Sequence, residues 1–251
     1  VDSTGARGAT LYSQFPANLE LGAFGASIIE QHTGQKAKAR RMSRAGDMSF
    51  NGIGLPAMFM GVSQVPAGDD ETDYVSIAFR KLLGGKMPWW WHTSHDTADK
   101  IDPEVLLLDT KIYLSTLWRL CHNPLLPMDF RPVVADILDT LQELERIAGG
   151  HVNFSLTIKR ALRLAELVEN HSLSNDQMKQ LSRLLIPITY TIADRFDHDP
   201  GWGMAHLPAL SDARRLAELD PTSDDYQFLR THVVRSQNRL NFALRQAIAV
   251  L

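Results

Sequence analysis

The run Trp89-Trp90-Trp91-His92-Thr93-Ser94-His95-Asp96-Thr97 sets two imidazoles, a carboxylate and three hydroxyls directly behind three indoles. Such a run follows neither the strand nor the helix period, so it predicts a loop presenting an imidazole beside a large apolar wall. Neutral imidazole is the commonest side-chain ligand of transition metals, and it needs a nearby carboxylate or carbonyl to fix its orientation. His92 is the candidate ligand and Asp96 the carboxylate that would orient it from behind. The bland alternatives are a loop histidine packed on Trp91 for the first and an exposed histidine for His95. The tryptophans read either as the wall of a pocket for an apolar side chain or as core filler, with Trp91 alone facing the site.

These residues carry a resemblance. His92-Thr93, then Asp96-Thr97, then Asp99-Lys100-Ile101-Asp102 resembles the last metal-ligand motif of the M28 zinc peptidases, the family of co-catalytic aminopeptidases and glutamate carboxypeptidases. Two upstream stretches agree in order and spacing. Val1-Asp2-Ser3-Thr4-Gly5 resembles the family's strand end that delivers an aspartate ligand. Gly46-Asp47-Met48-Ser49-Phe50, running on to Gly54-Leu55-Pro56-Ala57, resembles its Ser-Asp-His-x-x-Phe loop and the strand that follows.

The resemblance implies a peptide substrate and two zinc ions in the parent protein, with Asp2 on one ion and His92 on the other. Trp91, Gly46 and Asp47 would then lie beside the substrate. In that chemistry two ions about 3.5–4 Å apart share a bridging water whose pKa falls towards neutrality, and a glutamate takes its proton. The family's first histidine, its bridging aspartate and its Glu-Glu pair precede the Asp2 motif. The expectation is therefore a C-terminal portion of a longer protein that lacks the general base, is inactive alone and binds zinc weakly. Trp91 stands where a tyrosine is usual, which removes a hydroxyl that could help hold the oxyanion or substrate, and Met48 stands where a histidine is usual. The glutamate-specific branch carries a basic, tyrosine-bearing loop where this chain has His198 to Leu210, with Trp202 and His206 but no lysine or arginine, so substrate preference stays open between amino- and carboxypeptidase.

Composition limits the alternatives. A chain of 251 residues with 44% hydrophobic and 22% charged residues is ordinary for globular protein, and a net charge of -3 argues against a general nucleic-acid binder. No apolar run approaches the roughly 18 residues of a spanning helix. The single Cys121 excludes a disulfide within the chain and reads as a small buried residue.

Residues 1–123 read as α/β, the C-terminal half of a mixed sheet with flanking helices. Pro16 and Asn18 open a helix carrying Leu21, Phe24, Gly25, Ile28 and Ile29, which Gly34 closes. The basic run Lys36, Lys38, Arg40, Arg41 and Arg44 reads as a solvated segment rather than an anion site. Leu55 to Val62 predicts a buried parallel strand. The acidic stretch Asp69, Asp70, Glu71 and Asp73 lacks the alternation of a calcium loop. Asp102-Pro103-Glu104 starts a helix that should run to about His122, with Leu106, Leu107, Ile112, Leu117 and Leu120 available for burial.

Residues 124–251 change to helical periodicity throughout. Val134, Ile137, Leu138, Leu141, Leu144 and Ile147 share one face, and Ile158, Leu162, Ala165 and Val168 another. Ser174 with Gln177 and Thr222 with Asp225 read as capping boxes, with Pro187 kinking the third helix and Asp199-Pro200-Gly201 ending it. Four helices on short loops make a bundle. Leu126-Pro127-Met128-Asp129-Phe130 opening this region is similar to the transferrin-receptor-like dimerisation domain of the glutamate-carboxypeptidase branch, which implies a homodimer through the helices. A non-catalytic, receptor-like relative of the same fold is the alternative function.

Overall fold

The computed structural model describes residues 4–42, 50–59, 61–66, 88–194, 196–199 and 205–251. The chain divides into two compact units, Val1–Ser43 with Ala57–Met128 and Arg44–Pro56 with Asp129–Leu251. The first holds a small parallel sheet with helices, and the second is helical among its described residues.

In the first unit, β1 (Gln14–Pro16) pairs in parallel with β2 (Lys38–Arg40), Phe15 opposite Ala39, and α1 (Gly22–Thr33) makes the crossover between them. Gly34 ends α1 as expected: its φ of 69° is left-handed, and its N–H returns to the Glu30 carbonyl. The core is Phe15, Ile28, Ile29, Phe59, Val62 and Ile112, with Phe15 and Phe59 edge-to-face at 5.3 Å between ring centroids. The run expected as a parallel strand does not form one over its described residues. Met58 makes an isolated antiparallel bridge to Ala17, and Phe59 then takes a φ of 62°, which breaks the extended conformation. Part of the basic run is likewise sheet: Arg40 ends β2, and burial pulls its guanidinium down to about 10.

Helix α2 (Pro103–His122) begins where the sequence places it, its Asp102 carboxylate accepting from the N–H groups of Glu104 at 2.9 Å and Val105 at 3.3 Å. Its burial departs from expectation. Asp109, Ile112 and Thr116 form the buried arc, while Leu107, Leu114, Leu117 and Trp118 on the opposite arc are 55–62% exposed. Cys121 is exposed on the same side.

The second unit is built from α3 (Arg131–Ala148), α4 (Ser155–Asn170), α5 (Asn175–Tyr190) and α6 (Asp224–Val250). α3 packs on α4, α5 and α4 pack on α6, and a long 3-10 segment, Pro208–Glu218, packs on α6 and α3. α3 buries Val134, Ile137, Leu141 and Leu144 as its periodicity demands, adds Val133, and leaves Leu138 half-buried and Ile147 exposed. α4 is turned one residue from expectation over most of its length: Thr157, Ala161, Leu164 and Leu167 are buried and Leu162 is exposed, with Val168 buried as expected. Leucines lie on two of its arcs, so spacing alone leaves the phase open. The Ser174–Gln177 capping box forms. α5 continues through Pro187 but stops at Tyr190, well short of Asp199, and the cap of α6 is Ser223, whose hydroxyl accepts from the Tyr226 N–H at 3.2 Å. The residues Asn51–Ile53 pack on α5, where a Cβ at Gly54 would meet the Arg183 Cα at 2.4 Å.

Candidate functional site

The loop before α2 is a succession of tight turns. The N–H of Trp91 donates to the Pro88 carbonyl and that of Thr93 to the Trp90 carbonyl, each at 3.0 Å, which forces His92 to a φ of 60°. A left-handed conformation costs a non-glycine residue of order 1 kcal/mol and persists where surrounding structure dictates it, often at functional positions. The His92 ring lies flat on Trp91, 3.5 Å between centroids and 16° between planes. The imidazole is thus exposed and packed on an indole, an arrangement common to a displayed ligand and to a plain loop histidine resting on Trp91.

The turn that follows Asp2 is fastened to the far end of this loop. Arg7 N–H donates to the Lys100 carbonyl at 2.9 Å, Asp102 N–H to the Gly5 carbonyl at 2.8 Å, and Ala6 bridges Ile101. In consequence Thr4, Gly5 and Ala6 line one pocket of about 310 Å³ together with Ser63, Pro88, Trp90, Trp91, His92, Asp96, Lys100 and Ile101. Of the expected site residues, His92, Trp91 and Asp96 therefore share a pocket, although no hydrogen bond joins Asp96 to His92. Asp2, Gly46 and Asp47 lie outside the described residues.

Beneath the pocket is a residue that sequence reasoning missed. Asp109 is fully buried on α2, and its carboxylate accepts three hydrogen bonds: from Gly5 N–H at 2.9 Å, Ser63 hydroxyl at 2.7 Å and Tyr12 hydroxyl at 3.1 Å. Two of these donors, Gly5 and Ser63, belong to pocket-lining residues, so one carboxylate ties α2 to the pocket wall. Burial raises the Asp109 pKa and the three hydrogen bonds oppose it; burial and the neighbouring carboxylate also push the Tyr12 hydroxyl up. The signal was present in the sequence as an acid on the same helical arc as Ile112 and Thr116.

A second buried acid in this unit has no such support. Glu20 is 1% exposed in the short turn before α1, neither carboxylate oxygen has a hydrogen-bond partner among the described residues, and burial raises its pKa to about 7.

Zinc needs three or four protein donors in a closed or catalytic site. Among the described residues no group of three or more His, Cys, Asp or Glu could hold a metal ion. The described pocket supplies one imidazole and one carboxylate, which does not fit a complete zinc site. Among the described residues no helix is long and apolar enough to cross a membrane. No protein-family model matches the chain, and no curated protein matches it.

Proposed function

We propose that this chain is the C-terminal portion of a co-catalytic di-zinc exopeptidase of the M28 type, its first unit contributing one wall of the active site and its helical unit serving homodimerisation. The observation that carries the proposal is the shared pocket. Two motifs roughly ninety positions apart, the Thr4-Gly5-Ala6 turn behind Asp2 and the His92 loop, are held together by backbone hydrogen bonds and line one cavity. In this reading His92 is displayed for coordination by its left-handed turn, Trp91 fixes its ring plane by stacking, and Asp109 holds the pocket floor through Gly5 and Ser63.

The exposed arc of α2 supports the same reading. A helix apolar on both sides is ordinarily a buried helix, and Leu107, Leu114, Leu117 and Trp118 are what further polypeptide of the same domain would cover. The non-catalytic alternative gives no reason for a strained histidine on a pocket wall.

The test is made on the chain joined to its upstream coding sequence. That protein should bind zinc and release terminal residues from peptides, and His92→Ala should abolish hydrolysis while leaving the protein folded. The 251-residue chain by itself should bind zinc weakly and hydrolyse nothing. A folded, longer protein with neither zinc nor peptidase activity would overturn the proposal, as would about two tightly held zinc ions in the present chain.

A further inference from the structure

We infer that the outward face of α6 docks an acidic helix of another protein. That helix carries two periodic faces. The inner one, with Val233, Leu240, Leu244 and Ala247, is buried in the helical unit. The outer one carries Phe228, Thr231, Arg235, Asn238, Phe242 and Arg245, and every one of these is exposed. Alternating steps of three and four residues are the spacing at which one helix presents a straight seam to another. The two phenylalanines stand well out of the surface, Phe228 at 75% and Phe242 at 56% exposure. At the rise of an α-helix they lie about 21 Å apart along it, with Arg235 midway.

Charge decides what the seam fits. From Tyr226 to Leu251 the sequence has four arginines, one histidine and no acid, in a chain whose net charge is -3. Off the seam, Arg230 and Arg239 are spent on backbone carbonyls, that of His151 at 3.0 Å and that of Ile192 at 2.7 Å. On the seam, no hydrogen bond or ion pair holds Arg235 or Arg245 among the described residues, and Arg245 lies over the Phe242 ring, 5.5 Å from its centroid. Arginine with aromatics and without lysine or glutamate is the composition of an interface centre, whereas a solvated helix face is rich in lysine and glutamate. The complementary helix has apolar side chains opposite Phe228 and Phe242 and carboxylates opposite Arg235 and Arg245. Two copies laid seam to seam would gather the arginines of both with no carboxylate beyond Asp225 on either helix, so the homodimer proposed above uses other surfaces. A membrane or a nucleic acid fits less well, because Thr231 and Asn238 interrupt the apolar stripe and the first turn of α6 exposes Asp224 and Asp225.

The test is fluorescence anisotropy with a labelled helix-forming peptide of four heptads, leucine at its terminal a and d positions and glutamate at its central ones, and with the same peptide carrying lysine for glutamate. The present chain should bind the glutamate peptide and not the lysine peptide. Arg235→Glu combined with Arg245→Glu should weaken the glutamate peptide by about tenfold or more and let the lysine peptide bind. Phe228→Ala should weaken the glutamate peptide while keeping the preference for glutamate over lysine. These side chains are exposed, so each variant should retain the far-UV circular dichroism of the parent.

No binding of the glutamate peptide to the folded chain, equal binding of the two peptides, or unchanged affinity after the double charge reversal would each overturn the inference. So would tighter binding of a single-stranded oligonucleotide or of phosphatidylglycerol vesicles than of the glutamate peptide, or a homodimer in sedimentation that the double charge reversal dissociates. None of these readouts requires zinc or hydrolysis, so the exopeptidase reading stands or falls separately.

Discussion

Helices α2 and α3 are of similar length, 20 and 18 residues, and both are rich in leucine, yet they are buried in opposite ways. α3 hides seven residues on one continuous stripe inside the helical unit. α2 hides three, one of them a charged-type side chain, and leaves a second stripe of large apolar residues in the open. The helical unit holds itself together by apolar area. Around α2 the first unit is held by a hydrogen-bonded carboxylate that gathers three separate segments. Apolar burial tolerates small shifts of its partners, while three hydrogen bonds on one carboxylate demand fixed positions, which is what a pocket wall requires.

The largest expected effects test the contrast directly. Leu141→Ala on α3 should cost about 2–5 kcal/mol in denaturant unfolding, and Leu114→Ala on the outer arc of α2 should stay within about 0.5 kcal/mol. Equal losses at the two positions would break the comparison, because the α2 arc would then have to be covered in solution. Asp109→Ala should cost about 3 kcal/mol or more, since it orphans three buried donors at once. Asp109→Asn should cost less, because its carbonyl still accepts while its amide meets a donor.

Glu20 sharpens the comparison through pH. Its folded pKa of about 7 lies above the ordinary 4.5, so the folded state keeps a proton that the unfolded chain releases. The stability associated with that proton is fully present below about 4.5 and is lost as pH rises through about 7. Relative to wild type, Glu20→Gln should therefore gain roughly 3 kcal/mol between the acid and alkaline ends of that window. A pH-independent difference in unfolding free energy would contradict the buried, unpartnered carboxyl. The smallest effect is at the cap of α6: Ser223→Ala should cost about 1 kcal/mol, and Thr222→Ala much less.

Much of the layout is legible in the residues. The left-handed Gly34 stop, the Asp102 cap, the Ser174–Gln177 box and the apolar stripe of α3 are local, so each can be read within one or two helical turns. The cap of α6 is displaced by one residue because Thr222 is taken by Asp220, at 2.9 Å to its N–H and 2.8 Å to its hydroxyl, which leaves Ser223 to serve the helix. The turn around His92 follows from residue types that suit neither helix nor strand.

By itself the sequence determined where the helices lie, the Asp102 and Ser174 caps and the loop around His92, because those depend on neighbours a few residues away. Only the tertiary structure decided which arc of α2 and of α4 is inside, since two apolar arcs are equivalent until a partner covers one of them. It alone placed the Thr4-Gly5-Ala6 turn against the His92 loop, and it alone turned Asp109 from one acid among many into the point where three segments meet. The reason is range: a hydrogen bond between residues 5 and 109 leaves no local pattern, because its partner is chosen by the fold.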